Sequence, residues 1–359
     1  MGSHEMIGKV QTVLGPIDAT ELGITLHHEH FLVSSAVRFR APEEASQRAL
    51  ALQPVSLENL GWIRYHPQSN LDNLQFLDEG LAVEEGLRFK RAGGSSVVDM
   101  TNIGIGRDPL ALARISRGTG LNIVMGSGYY TEATIPQQMK AELTEDRMVE
   151  TIVRDITEGV GKTGIRSGII GEIGTEWPMS DLERMSLRAA ARAQIETGAP
   201  INVHTGTSPS SPFEIVKVLE AAGADLTRVG ISHVDSRIFD RGIAADLART
   251  GVYLGYDSFS LEGWYERRTV LSEANPLKCD VPNDAWRLND ILALIAHGFL
   301  SQVLISHDLC MKHRLWKWGG PGYAHILDNV VPLMHDKGFT EEQIDTILVQ
   351  NPKRLMQFA

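Results

Sequence analysis

The segment GITLHHEH, residues 23–30, joins a short apolar run to two histidines that stand one residue apart. The apolar, partly β-branched run predicts a short strand over residues 24–28. Because alternate residues of a strand share a face, His28 and His30 can point toward one place while Glu29 faces away. Two imidazoles on one face form half of a metal site. This segment therefore predicts a strand and, where that strand ends, part of a metal site.

Short apolar runs recur along the chain, and segments with helical spacing separate them. Eight strands that alternate with helices predict a parallel sheet, and eight such strands close a barrel. We therefore predict an α/β fold, a (β/α)8 TIM barrel, as one domain over residues 1–359, with residues 1–4 as a leader that has no role. The predicted strands span residues 24–28, 96–100, 122–127, 168–173, 200–204, 229–233, 252–256 and 302–306, and the predicted helices span 75–92, 182–196, 213–222, 235–249, 285–297 and 324–337.

Two long segments interrupt the alternation of strands and helices. Residues 34–73 follow the first strand, and residues 257–283 follow the seventh. Both leave from the strand ends that carry the candidate ligands, so they can cover a site there and set the choice of substrate. A solvent loop or a contact between subunits is the alternative for each.

The composition is that of an ordinary globular protein, since 43% of the 359 residues are hydrophobic and 22% are charged. The formal net charge of −11 argues against nucleic acid or an anionic membrane as a partner. Two cysteines provide no disulfide framework, and no apolar stretch approaches the ~18 residues of a membrane span. The N-terminus lacks a secretory pattern. We expect a cytoplasmic protein that acts on a small molecule.

Four later residues of ligand type also stand where an apolar run ends. They are Glu172, His204, His233 and Asp308. A buried carboxylate such as Glu172 needs a cation or a metal beside it, because an unpaired buried charge is strongly unfavourable. Barrel geometry brings the C-terminal strand ends together. The sequence therefore predicts one metal site that is built from distant parts of the chain.

Six ligands are too many for one catalytic zinc ion, which keeps about three protein ligands, and they suit a pair of ions. Imidazole and carboxylate without thiolate predict Zn²⁺ first, with Mn²⁺, Co²⁺ or Fe²⁺ as alternatives. A hydroxide shared by the two ions would be the nucleophile, and Asp308 would be the general base. In this prediction His28, His30 and Asp308 hold one ion, His204 and His233 hold the other, and Glu172 bridges them.

The ligand residues lie in motifs that resemble the phosphotriesterase-related branch of the amidohydrolase superfamily, and most closely its resiniferatoxin-binding members. The resemblance extends over nearly the whole chain. It implies a (β/α)8 barrel, a binuclear metal centre, often a homodimer, and hydrolysis of esters, lactones, amides or organophosphate triesters. The motifs are LHHEH ending at His30, GIIGEIGTE around Glu172, INVHTG around His204, ISHVD around His233, ISHDLC around Asp308 and NPKRL from Asn351.

Two positions depart from the phosphotriesterase pattern. Glu172 stands where phosphotriesterases carry a carboxylated lysine, which puts hydrolysis of paraoxon-type substrates in doubt. Asp257 and Ser258 stand where they carry a histidine beside an aspartate, so the proton relay beyond Asp308 differs. Asp257 would then either orient a ligand or cap a turn.

Substrate contacts are predicted at four positions. The resemblance to lactonases implies a hydroxyl of Tyr130 near the metals, with core packing as the alternative. Arg267, Arg268 or Lys312 would bind a carboxylate, sulfonate or phosphate of the substrate, with a solvated charged loop as the alternative.

The leading functional prediction is a metal-dependent hydrolase of small esters, lactones or amides. Hydrolysis of phosphoesters or phosphotriesters is the second, and a small-molecule binding protein with structural metals is the third. A nucleophile elbow and a dinucleotide fingerprint are both lacking in the sequence.

Overall fold

Eight parallel strands lie side by side in chain order at the centre of the molecule. The computed structural model describes residues 6–261 and 282–359. The last strand returns to the first, because the backbone N–H of Asp308 donates to the carbonyl oxygen of His28 at 3.3 Å. The prediction of a closed (β/α)8 barrel is therefore confirmed. In chain order the strands are β1 Lys9–Thr12, β2 Gly15–Asp18, β3 Thr25–Glu29, β4 Val33–Ser34, β5 Gln75–Phe76, β6 Ser96–Asp99, β7 Asn122–Ser127, β8 Ile169–Gly174, β9 Ile201–His204, β10 Val229–Ile231, β11 Tyr253–Tyr256 and β12 Val303–Ile305.

The barrel consists of β3 and β6 to β12, and helices surround it. None of the helices in the described ranges is both long and apolar enough to cross a bilayer. The α-helices are α1 Leu57–Tyr65, α2 Glu79–Arg91, α3 Pro109–Thr119, α4 Gln137–Lys140, α5 Glu145–Thr157, α6 Asp181–Thr197, α7 Ser211–Ala221, α8 Arg241–Ala248, α9 Asp284–Ala296, α10 Val331–Asp336, α11 Glu341–Asp345 and α12 Asn351–Met356, and π-helical turns Ile326–Val330 and Thr346–Gln350 precede α10 and α12.

Each predicted strand overlaps a barrel strand, and the ends differ by at most two residues. The helix predicted from residue 75 instead begins at Glu79, because Gln75 and Phe76 pair with Val33 and Ser34 in an antiparallel ladder. The helix predicted from residue 235 begins only at Arg241. The prediction lacks the helices α1, α3, α4, α5, α11 and α12, and α10 is shorter than predicted because a π-helical turn precedes it.

Strands β7 and β8 approach each other closely because glycines face each other between them. A Cβ atom added to Gly126 would lie 2.0 Å from the carbonyl oxygen of Gly171, which has a positive φ of 141°. Only residues without a side chain permit this approach. Gly171 directly precedes Glu172, so the contact helps to fix where the Glu172 carboxylate enters the barrel rim.

The segment 34–73 packs against the loop that follows β12. Lys312 Nζ lies 2.6 Å from Asp72 Oδ1, and the backbone N–H of His313 donates to Asn73 Oδ1 at 2.9 Å. These bonds tie the first long insertion across the mouth of the barrel. Of the second predicted insertion, 257–283, residues 262–281 lie outside the described part of the chain.

A fully buried ion pair joins α9 to the loop after β10. Arg287 Nε lies 2.6 Å from Asp235 Oδ2, and neither side chain reaches solvent. We expect Arg287→Met to lower the free energy of unfolding by about 3–5 kcal/mol, because it leaves a buried carboxylate without its cation. Urea denaturation measures this loss. The matched control Arg249→Met breaks an exposed pair with Asp246 and should change stability by less than about 1 kcal/mol. Equal losses in both variants would contradict the expectation.

Candidate metal centre

The structure brings all six predicted ligand residues together at the C-terminal rim of the barrel. Each stands within three residues of the C-terminal end of its strand. All six are buried except Asp308, whose side chain is 24% exposed. The residues are His28 and His30 from β3, Glu172 from β8, His204 from β9, His233 beyond β10 and Asp308 beyond β12.

The ligand atoms form two adjoining groups. In the first, Asp308 Oδ1 lies 3.2 Å from His30 Nε2 and 3.8 Å from His28 Nε2. In the second, Glu172 Oε1 lies 3.0 Å from both His204 Nδ1 and His233 Nε2. The same oxygen lies 3.6 Å from His28 Nε2, so Glu172 stands between the groups.

These distances suit a metal centre. Two ligand atoms that each lie ~2.1 Å from a tetrahedral ion are about 3.4 Å apart. His28 Nε2 is buried and has no hydrogen-bond partner within the described ranges, although Glu172 and Asp308 both face it. A divalent ion would satisfy this nitrogen. The imidazole and carboxylate donors fit Zn²⁺, Mn²⁺, Co²⁺ or Fe²⁺.

Hydrogen bonds on the opposite ring nitrogens aim three of the imidazoles into the site. His233 Nδ1 lies 2.7 Å from Asp257 Oδ1, which also accepts the backbone N–H of His233 at 3.0 Å. His28 Nδ1 lies 2.9 Å from Ser232 Oγ and 3.2 Å from Asp257 Oδ2. His30 Nδ1 lies 2.9 Å from the hydroxyl of Thr101. Such partners fix the ring orientation and the tautomer of a ligating histidine.

Two buried groups that the sequence analysis missed hold the loop of Asp308 in place. Glu29, on the face of β3 opposite His28, accepts the backbone N–H groups of His307 at 2.9 Å and Leu309 at 3.0 Å. Arg314 donates to the carbonyl oxygens of His307 and Asp308, both at 2.6 Å. Together they stabilise the left-handed backbone of Asp308, which has a φ of 51°.

A signal for Glu29 was available in the sequence. Glu29 directly follows the strand predicted over residues 24–28, and a carboxylate requires partners when it is buried at such a place. The role of Arg314 has no comparable local signal, because Arg314 also donates to the carbonyl oxygen of Phe259 at 3.0 Å and so joins the loops that follow β11 and β12.

Charges within the cluster set the protonation of its members. Burial alone would raise the pKa of Glu172, but His28 and His204 hold it well below its usual range. Burial alone would lower the pKa of His28, but the carboxylates of Glu172 and Asp257 raise it to about 9. Burial lowers the pKa of His204 to about 3. At neutral pH the metal-free cluster therefore contains an ionised Glu172, a protonated His28 and a neutral His204.

The affinity of the metal-free protein for Zn²⁺ should therefore rise with pH. An ion binds only neutral imidazole, and His28 holds a proton below its pKa of about 9. Each pH unit below that value should weaken the apparent affinity about tenfold for each proton displaced. Competition with a chromophoric chelator at several pH values measures the slope. Asp257→Asn removes a charge that raises this pKa and should move the rise to lower pH, whereas an affinity that does not depend on pH would contradict the expectation.

Of the four predicted substrate contacts, one faces the metal cluster, one does not, and two lie outside the described residues. The hydroxyl of Tyr130 lies 3.1 Å from His204 Nδ1 and accepts a hydrogen bond from Arg38 Nη2, so Tyr130 faces the cluster. Lys312 lies beside Asp72 instead, with Nζ 5.4 Å from the ring centroid of Trp318, and serves to join two loops. Arg267 and Arg268 lie outside the described residues.

A closed parallel barrel that gathers imidazoles and carboxylates at the ends of its strands is the architecture of a metal-dependent hydrolase. The model of the phosphotriesterase family matches residues 8–356. The chain belongs to this family, and the predicted family and hydrolase class are confirmed.

Individual proteins resemble the chain over nearly its whole length. An N-acetyltaurine hydrolase from Tetraodon nigroviridis is 40% identical over 352 residues, which are 98% of each chain. The crystal structure of a resiniferatoxin-binding protein from Rhodobacter sphaeroides has a TM-score of 0.91 and 35% identity, and the match covers 98% of this chain and 95% of that one. A lactonase from Listeria monocytogenes has a TM-score of 0.77 and 26% identity, with 98% and 99% covered.

Proposed function

We propose that this protein is a binuclear metal-dependent amidase that hydrolyses small N-acyl compounds of the N-acetyltaurine type. The observation that carries the proposal is the convergence of the six ligand residues in two adjoining groups at the barrel rim. Relatives that are 38–40% identical over 98–99% of the chain are named N-acetyltaurine hydrolases, which supports the choice of an amide bond. The resulting reaction converts an amide and water into a carboxylic acid and an amine.

The two groups of ligand atoms suggest how the ions are shared. His28, His30 and Asp308 would hold one ion, His204 and His233 would hold the other, and Glu172 would contact both. Zn²⁺ is the ion that we propose first, because its chemistry suits nitrogen and oxygen ligands with an open position. When bound, such ions supply Lewis acidity that polarises a carbonyl group and lowers the pKa of water.

We propose that Asp308 moves the protons of the reaction. Its Oδ1 faces the imidazoles of His28 and His30, whereas Oδ2 lies 3.9 Å from Cys310 Sγ. Burial alone would raise its pKa, but the neighbouring histidines hold it well below its usual range, so the carboxylate is ionised at neutral pH. We assign Oδ2 as the atom that accepts a proton from the attacking water and delivers it to the leaving nitrogen.

A substrate panel tests this proposal. The protein is loaded in turn with Zn²⁺, Mn²⁺ and Co²⁺ and assayed with N-acetyltaurine, a γ-lactone and a paraoxon-type triester. We expect kcat/KM for N-acetyltaurine to exceed the other two values by at least about tenfold. Hydrolysis of the lactone or the triester without hydrolysis of the amide would replace the proposed reaction. A metal-loaded protein that binds these compounds and converts none of them would favour a binding function.

A further inference from the structure

A guanidinium group stands at the edge of the metal cluster, and the roles assigned so far do not use it. Arg38 belongs to the long insertion after the first barrel strand, and its side chain is half-buried. Its Nη2 donates a hydrogen bond to the hydroxyl of Tyr130, which lies 3.1 Å from His204 Nδ1. The guanidinium carbon lies 5.5 Å from the centroid of the Tyr130 ring. One tyrosine hydroxyl therefore separates Arg38 from a candidate ligand.

Arg38 forms no salt bridge with a described residue, and the carboxylates of Glu176 and Asp308 act on its charge only from a longer distance. No carboxylate oxygen of the described residues lies within 4.0 Å of its nitrogens. Arg107 differs, because its side chain is 7% exposed and its Nη2 lies 2.8 Å from Asp155 Oδ2. A guanidinium has five N–H donors, and the bond to Tyr130 uses one of them. A partly desolvated cation with free donors is a suitable binding group for an anion.

The distance between Arg38 and the metal cluster limits the length of a substrate that reaches both with its acidic group and its amide. The distance from His204 Nδ1 to the Tyr130 hydroxyl is 3.1 Å, and one further hydrogen bond adds about 2.9 Å. The donating nitrogen of Arg38 thus lies within about 6 Å of His204 Nδ1. Two carbons between an amide nitrogen and a sulfonate or carboxylate give a molecule that spans this distance.

We propose that Arg38 is the specificity-determining residue that binds the sulfonate or carboxylate of the substrate, while the amide lies over the metal cluster. This inference rests on the proposed amidase function and names the substrate class more closely. The planar guanidinium donates two parallel hydrogen bonds to the acidic group. Tyr130 holds the guanidinium in place and connects it with His204. Of the cations that the sequence analysis predicted for this role, Lys312 lies beside Asp72, and Arg267 and Arg268 lie outside the described residues.

The test compares an anionic substrate with a neutral one of similar length in the metal-loaded full chain. The two substrates are N-acetyltaurine and N-propylacetamide, and the variants are Arg38→Met and Arg38→Lys. We expect Arg38→Met to lower kcat/KM for N-acetyltaurine about 10- to 100-fold, mostly through KM, because hydrogen bonds between charged groups are lost. The neutral amide should change less than about threefold. Arg38→Lys keeps the charge but loses the paired donors, so its loss should be intermediate.

Arg48→Met is the matched control, since Arg48 is an exposed arginine of the same insertion and its replacement changes the net charge equally. It should leave both substrates unaffected. Equal losses for the anionic and the neutral substrate would overturn the inference, because Arg38 would then act only by supporting Tyr130. An unchanged kcat/KM for N-acetyltaurine in both Arg38 variants would overturn it as well.

A binding measurement separates this inference from the proposed function. Ethanesulfonate carries the acidic group without an amide, and its binding can be followed by calorimetry with the metal-free protein. If the wild type hydrolyses neither amide but Arg38→Met abolishes ethanesulfonate binding, the anion site stands and the proposed reaction fails. If the amides are hydrolysed and ethanesulfonate binds equally to wild type and Arg38→Met, the proposed function stands and the anion site fails.

Discussion

Replacing Asp308 with asparagine is expected to lower kcat about 10²- to 10⁴-fold, the range that follows from the loss of a general base. The amide has nearly the shape of the carboxylate, so the loop that Glu29 and Arg314 hold should keep its conformation. The asparagine cannot accept the proton of the attacking water. It also removes the negative charge that lies 3.2 Å from His30 Nε2. Steady-state kinetics with N-acetyltaurine, together with metal analysis of the same sample, measures the effect.

Asp246→Asn is the control for this substitution. Asp246 is an exposed aspartate of helix α8 that pairs with Arg249 and contacts none of the six ligand residues, so its replacement should leave kcat within about twofold. If Asp308→Asn retained its full metal content and more than a tenth of the wild-type kcat, the assignment of Asp308 as the base would be wrong.

Replacing Glu172 with glutamine should have the larger effect on the metals. Glu172 Oε1 faces the ring nitrogens of His204 and His233 at 3.0 Å and that of His28 at 3.6 Å. A neutral amide removes the buried negative charge around which these imidazoles gather. We expect metal affinity to fall more than about 100-fold, because even groups that only support a ligand change affinity by 10- to 100-fold. Metal analysis after dialysis, with activity measured in parallel, checks this.

Glu176→Gln provides a closely matched control. Glu176 lies four residues after Glu172, beyond the end of the same strand, and it is exposed. It should keep the wild-type metal content. Glu172→Gln with a full complement of ions after dialysis would refute the central place of this carboxylate.

The barrel could be predicted because its strands are buried on both faces and are therefore short apolar runs. The ligands could be predicted because each follows such a run, and a barrel places these ends at one rim. Pairing between distant segments could not be predicted in the same way. Gln75 and Phe76 continue the helical periodicity of α2, but they pair with Val33 and Ser34, about 40 residues earlier in the chain.

Substrate contacts were the least predictable part of the site, since the partner of a loop cation depends on tertiary structure. Lys312 is followed by further basic residues, which favoured an anion site, but it lies beside Asp72, 240 positions away. Arg38 has no unusual neighbours in the sequence, and only the fold places it beside Tyr130. For Asp257 the sequence predicted two alternatives, orienting a ligand or capping a turn, and its contacts with the rings of His28 and His233 decide for the first.

Anomalous diffraction from crystals of the Zn²⁺-loaded protein tests the central claim most directly. The account predicts two peaks about 3.5–4 Å apart at the barrel rim, with Glu172 between them. His28, His30 and Asp308 should surround one peak, and His204 and His233 should border the other. A zinc-loaded crystal with no peak among these side chains, or with a single peak that leaves one of the two groups unliganded, would contradict it.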